Sequence, residues 1–155
     1  MSFVPIDSIG FVRSGGGRPI FAENGTTYLQ AALGSTLKFS FTSGTFFDLL
    51  SVDLAEFSTT VTQATVHFVG YRFDGSIVTM DLITDGIIDG TGPLADFQTF
   101  HFDDRFTGLI RVEIPTFGWS LDNLVVSVPE PSTCCLLLVG GLLLGALKFR
   151  KRGND

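Results

Sequence analysis

Basic residues are scarce in this chain: ten lysines and arginines stand against 16 aspartates and glutamates in 155 residues, and the formal net charge is −6. That balance excludes a general nucleic-acid binder, which needs a cationic surface against phosphate. Cysteine is scarcer still, with only Cys134 and Cys135, side by side. Adjacent cysteines are poorly placed to staple a fold, and a zinc site built on spaced cysteines has no material. Two histidines, no Gly-x-Ser-x-Gly elbow and no glycine-rich phosphate loop leave little for nucleophilic or phosphoryl chemistry. Six prolines exclude a proline-rich linker, and 45% apolar content with 17% charge excludes a disordered polypeptide. One domain is expected from the length.

The charge is unevenly spread. Residues 1–131 carry 15 acidic and six basic side chains, for a net −9, whereas residues 132–155 carry four basic and one acidic, for a net +3. The tail reads Val128-Pro129-Glu130-Pro131, then an unbroken apolar run from Cys134 to Leu147, then Lys148, Arg150, Lys151 and Arg152. A spanning helix needs about 20 residues, with a lower limit near 17. Counting Ser132 and Thr133 and allowing Lys148 to snorkel, a short transmembrane helix over about 132–149 is expected. A run that is apolar all round and ends in positive charge suits a bilayer better than a buried core helix. The basic cluster acts as a stop signal on the cytoplasmic side, so the acidic body faces outward. Gly141 and Gly145 have the spacing of a close helix contact. The cysteines read as apolar filler or, less favoured, as acylation sites.

These residues carry a resemblance. Pro129-Glu130-Pro131, an apolar span and an Arg/Lys-rich end together resemble the PEP-CTERM sorting signal of bacterial surface proteins, a segment also described as an ice-binding-protein C-terminal domain. The resemblance covers residues 129–152. It implies export, transient anchoring in the inner membrane, and processing near the Pro-Glu-Pro motif by an exosortase-type membrane transpeptidase. It also implies cell-surface or extracellular placement, with an exopolysaccharide matrix as an associated partner. The chain is then a substrate rather than an enzyme. Two prolines fix φ and remove two backbone donors, which leaves an extended, helix-resistant strip outside the bilayer. The body lacks repeated Thr-x-Thr ladders, so ice binding is not expected of it.

Residues 1–128 read as an ectodomain and 129–155 as the sorting segment. From Ser35 to Val128 the dominant signal has period two, the mark of strands with one buried face. Leu37, Phe39 and Phe41 alternate with Lys38 and Ser40, and Leu50, Val52 and Leu54 with Ser51 and Asp53. Val66 and Phe68 lead to Tyr71 and Phe73, Asp74-Gly75 offers a hairpin turn, and Val78, Met80 and Leu82 follow. Phe97 to Phe102 and Leu109 to Ile114 complete the series, the latter with Ile110, Val112 and Ile114 in phase. The spacing predicts an all-β, antiparallel sandwich or jelly roll.

The last body strand changes phase. Trp119 and Leu121 keep one face, Leu124, Val126 and Val128 the other, so a bulge or kink is predicted at Asp122-Asn123. The stretch Leu121-Asp122-Asn123-Leu124-Val125-Val126 resembles the final strand of jelly-roll modules of the carbohydrate-binding and galactose-binding-like type. That resemblance makes Asp122 a candidate ligand of a structural calcium, with Glu23 or Asp7 as a second carboxylate. Asp122 and Asn123 satisfying backbone groups at the bulge is the alternative.

An exported chain needs a signal peptide, and Met1 to Gly17 shows none of the usual pattern, so a start further upstream is expected, with one or two strands beyond the present residues. Ser14-Gly15-Gly16-Gly17 reads as a flexible loop, and Asn24-Gly25-Thr26 as a turn rather than a glycosylation site. His67 and His101 fall in the outward phase of their strands. Asp103-Asp104 reads as a turn before Arg105, since adjacent acids on an extended segment point apart and cannot flank a glycosidic bond. Of 19 aromatics 16 are phenylalanine, chiefly core material, so Trp119, Tyr71 and Tyr28 are the candidates for a sugar platform. The expected function is a structural or adhesive surface protein, with a carbohydrate-binding module as the alternative and a degenerate glycoside hydrolase as a remote one.

Overall fold

The computed structural model describes residues 1–6, 10–14 (backbone only), 20–31, 34, 36–88 and 96–129. They form ten strands: β1 (Ser2–Ile6), β2 (Gly10–Ser14), β3 (Thr27–Ala31), β4 (Thr36–Ser40), β5 (Asp48–Glu56), β6 (Thr65–Arg72), β7 (Ile77–Ile83), β8 (Gln98–His101), β9 (Leu109–Ile114) and β10 (Trp119–Ser127). Two five-stranded sheets result, ordered β1-β4-β9-β6-β7 and β2-β3-β10-β5-β8, and every pairing is antiparallel. The predicted antiparallel sandwich is therefore present. From β3 onward each strand crosses to the other sheet, except at the β6–β7 hairpin. Strands β3 to β10 thereby follow the interlocked connectivity of an eight-stranded jelly roll, with β1 and β2 added at one edge of each sheet.

Alternation drives this arrangement. Leu37 and Phe39 of β4, Val66 and Phe68 of β6 and Val112 and Ile114 of β9 all turn into a single core with Val52 and Leu54 of β5. Phenylalanine fills it: Phe39, Phe47, Phe68 and Phe106 are fully buried. Phe68 and Phe102 meet edge-to-face with ring centroids 5.0 Å apart, the geometry that aligns the positive ring edge with the negative face. Burial of this many large side chains is the main force holding the two sheets together. A smaller cluster of Ala22, Tyr28, Ala55 and Phe97 sits in the opposite phase on the second sheet, with the Tyr28 hydroxyl donating to the Ala22 carbonyl at 2.7 Å.

The phase change predicted at Asp122-Asn123 is a bulge, and it has a counterpart. Asp122 faces Asp53, Val125 faces Ser51 and Val126 faces Leu49. The strand β10 thus spends an extra residue before Val125, and β5 spends one at Leu50, so the two irregularities cancel and the register resumes. Asn123 has φ 45°, the left-handed region that an asparagine side chain tolerates.

Three expected inward residues are displaced. Leu50 is 45% exposed, because the β5 bulge turns Leu49 inward instead. Ile110 is only half-buried while Leu109 fills the core, because β9 carries an extra residue where Tyr71 faces Arg111 and Arg72 faces Leu109. Phe73 lies in the hairpin loop and is exposed; Gly75, at φ 83°, donates to the Arg72 carbonyl and closes a three-residue turn.

Candidate functional site

The side chains singled out on the body fall into three groups. The first surrounds Asp122. Its Oδ2 accepts from Asn24 Nδ2 at 2.7 Å and from the Thr26 hydroxyl, and its Oδ1 accepts from the Asn123 backbone N–H at 2.8 Å. Asn123 Nδ2 donates to Asp53 Oδ2 at 2.7 Å, and the Thr99 hydroxyl donates to Asp53 Oδ1 at 2.6 Å. This network pins the turn before β3 and the edge strand β8 onto the bulge. Asn24-Gly25-Thr26 is indeed a turn: Gly25 has φ 76° and Thr26 N–H donates to Asn24 Oδ1 at 3.0 Å.

Calcium needs six to eight oxygens on one centre. Asp122 spends both carboxylate oxygens on N–H and O–H donors, and Glu23 turns Oε1 to the Gly25 N–H at 2.8 Å. Among the described residues no three acidic, histidine or cysteine side chains converge on one point. Asp7 lies outside them. Among the described residues the side chains do not gather the oxygens of a calcium site; Asp122 accepts one backbone N–H, that of Asn123, and its other partners are the Asn24 and Thr26 side chains.

The second group comprises the aromatics. Trp119 is 1% exposed, packed in the main core, and donates from Nε1 to the Thr116 carbonyl at 2.8 Å. It therefore offers no face to a sugar, a correction that follows from its sharing the inward phase with Leu121. Tyr28 is buried in the small cluster. Tyr71 is half-buried on the outer face of the first sheet, but its hydroxyl donates to Glu113 Oε2 at 2.9 Å and the Arg111 guanidinium lies 3.7 Å over its ring. Arg111 Nε is 3.1 Å from Glu113 Oε1, so the ring face is already held by an intramolecular cation.

The third group is polar and outward. His67 Nδ1 lies 2.5 Å from Asp81 Oδ1 of the neighbouring strand, and His101 is exposed. Asp103 and Asp104 form a turn in which Phe106 N–H donates to the Asp103 carbonyl at 3.0 Å. Arg105 binds Asp103 through Nη2 at 2.7 Å, and that pairing holds the Asp103 carboxyl below its ordinary value. Among the described residues no hydrogen bond joins either histidine ring to a hydroxyl. A mainly apolar cavity of about 220 Å³ opens at one end of the sandwich beside Phe57, Val61 and Phe117. A second, of about 250 Å³, lies between Phe3, Tyr28 and the bulge.

The chain leaves the sandwich at the end of β10. Ser127, Val128 and Pro129 are exposed, so the segment that follows starts on an accessible strip directly attached to a central strand. Residues 127–152 match the PEP-CTERM protein-sorting motif. The PEP-CTERM motif begins on the last residue of β10 and takes in Pro129, Glu130, Pro131 and the basic cluster Lys148, Arg150, Lys151 and Arg152. It implies processing by an exosortase-family enzyme and surface or extracellular placement after sorting. Comparison with curated proteins finds no match. Glu130, Pro131, the span expected over about 132–149 and the four basic residues lie outside the described residues, as do Gly15, Gly16 and Gly17. A PEP-CTERM motif joined to an all-β sandwich is consistent with an exported, sorted structural or adhesive surface protein.

Proposed function

We propose that the chain is a substrate of exosortase-type sorting whose jelly-roll body, residues 1–128, works outside the cell as a structural or adhesive module. The observation that carries this reading is the PEP-CTERM motif at residues 127–152, which starts on the exposed end of β10. Residues 129–155 act as an address. The apolar run Cys134 to Leu147 holds the chain in the inner membrane as a helix, and Lys148, Arg150, Lys151 and Arg152 stop transfer. The enzyme then acts near Pro129-Glu130-Pro131, where two prolines keep the strip extended.

The body contributes mass, stability and negative charge rather than catalysis. Among the described residues the His67 ring is bonded to Asp81, and Asp103 and Asp122 serve a turn and the bulge. Trp119 and Tyr71, the aromatics expected to stack on a sugar, are committed to the core and to Arg111, so the carbohydrate-binding alternative has no platform among them. A body of net charge −8, from 14 acidic and six basic side chains in residues 1–128, repels a polyanion at long range and tolerates a neutral or cation-bridged polysaccharide matrix.

Expression of the chain behind a secretion signal, in hosts with and without an exosortase, tests the reading. Without the enzyme, the chain should remain in carbonate-washed membranes; with it, the body should appear at the surface or in the medium. A chain that stays soluble in both hosts overturns it.

A further inference from the structure

The edge of the first sheet formed by β7 is built differently from those formed by β1 and β8. The β1 edge contains Pro5, and β8 is four residues long, both of which blunt strand addition. The β7 strand runs seven residues, Ile77–Ile83, in unbroken register with β6 and without proline or lysine. Hydrogen-bonded pairs alternate along an antiparallel ladder. Arg72 N–H donates to the Ser76 carbonyl and Thr84 N–H to the Ala64 carbonyl, so the even-numbered residues of β7 spend their backbone groups on β6. Ile77, Thr79, Asp81 and Ile83 therefore turn their N–H and C=O groups outward.

The strand is also nearly palindromic. About Met80 it reads Ile77-Val78-Thr79, then Asp81-Leu82-Ile83. Laid antiparallel against a second copy with Met80 at the centre, Ile77 faces Ile83, Val78 faces Leu82 and Thr79 faces Asp81. The residues with outward backbone groups meet one another in this register, so each facing pair exchanges both hydrogen bonds. On the outer face Ile77 and Ile83 are 58% and 53% exposed, and each covers the other's counterpart. Asp81 meets a threonine hydroxyl rather than a second carboxylate, while its Oδ1 is already held by His67. No like charges oppose across the seam.

We propose that β7 is a self-pairing edge, and that two copies of this chain join through it about a two-fold axis at Met80 into one continuous ten-stranded sheet. The contact is isologous, so it closes as a dimer and does not propagate into fibres. This inference stands on the strand itself and is independent of the sorting reading.

The test uses the full chain with Cys134→Ser and Cys135→Ser, oxidised after purification in mild detergent. Met80→Cys should give a reducible dimer, since facing residues in a non-hydrogen-bonded pair lie ~4.5 Å apart at Cα, within disulfide reach. Ile77→Cys alone should not, but a mixture of Ile77→Cys and Ile83→Cys chains should. Thr79→Pro removes only an outward N–H, so it should keep the circular dichroism of the parent and weaken dimerisation, read by sedimentation, at least ~10-fold. Ile77→Lys with Ile83→Lys should do the same without proline. Equal cross-linking at Met80→Cys and Ile77→Cys would mean association without register, as through the tail, and overturns the proposal. A parent chain that sediments as a monomer up to ~100 µM overturns it as well.

Discussion

Asn123 holds a left-handed backbone at φ 45° and donates its side-chain amide to Asp53 on the facing strand at 2.7 Å. The bulge that flips the phase of β10 is thus tied across the seam to β5, which carries the compensating extra residue at Leu50. The paired bulges let Trp119 and Leu121 pack from one end of the strand and Leu124 and Val126 from the other, without breaking the sheet.

Asn123→Gly retains the backbone and loses the amide, so it should cost about 0.5–1 kcal/mol. Asn123→Val loses the bond and places a β-branched residue at positive φ, so it should cost about 2 kcal/mol or more. Urea unfolding midpoints of the two variants check the order, and equal midpoints would refute the role assigned to φ.

Asp122→Ala strips the acceptor from Asn24, Thr26 and the Asn123 N–H, and should cost about 1–2 kcal/mol. Because the carboxylate is satisfied by protein donors, EDTA should leave the Tm of the parent unchanged and added calcium should not raise it. A chelator-induced drop in Tm would restore the calcium assignment.

Trp119→Ala should cost about 3–5 kcal/mol, the range for emptying a large aromatic site in a packed core. The emission of this single tryptophan should lie to the blue in the folded protein and move red on unfolding. A red emission maximum in the native state would contradict its placement.

Gly86 and Gly75 both have positive φ, 85° and 83°, but differ in surroundings. A Cβ on Gly86 would sit 1.9 Å from the Thr62 carbonyl oxygen, whereas one on Gly75 meets nothing within 4 Å. The Gly86 N–H also donates at 2.6 Å to Oε1 of Glu56, a fully buried carboxylate. Gly75→Ala should therefore cost about 1 kcal/mol from backbone conformation alone, and Gly86→Ala at least about 3 kcal/mol, since backbone must move. Thermal melts of both variants test the difference.

Acid should loosen the β8–β9 turn. The Arg105 side chain, bonded to Asp103, holds that carboxyl below its ordinary value of 3.8, and the hydrogen bonds from Ser76 lower Asp74 likewise. A depressed carboxyl stabilises fully above its unfolded pKa, and the contribution fades as pH falls through the folded one. Asp103→Asn should lower Tm slightly at pH 7 and match the parent once the pH is well below 3.8. A difference that persists unchanged at pH 2 would refute the linkage.

Much of the sandwich was legible because one-sided burial imposes period two. The span Leu109–Ile114 matches β9 residue for residue, and the Asp122-Asn123 phase change matches the bulge. Strands β1, β2 and β3 carry no such period-two signal in the sequence. In β3 both phases find cover, Leu29 and Ala31 in the main core, Tyr28 in the small cluster and Gln30 buried against Ser120 and the Phe57 carbonyl, so no alternation shows. Leu50 and Ile110 misled because a bulge shifts phase by one residue and leaves no mark in an apolar pair such as Leu49-Leu50. Trp119 and Tyr71 look like ligand aromatics in sequence; only the fold reveals that Thr116 and Arg111 already occupy them.

The most direct measurement is the intact mass of the mature protein recovered from the surface of an exosortase-bearing host. The account predicts a C-terminus near Pro129 to Pro131, with Lys148 to Arg152 missing, and an unprocessed, membrane-bound chain when both prolines are replaced by alanine. A surface-recovered chain that ends at Asp155, or one processed equally well in the Pro129→Ala/Pro131→Ala variant, would contradict it.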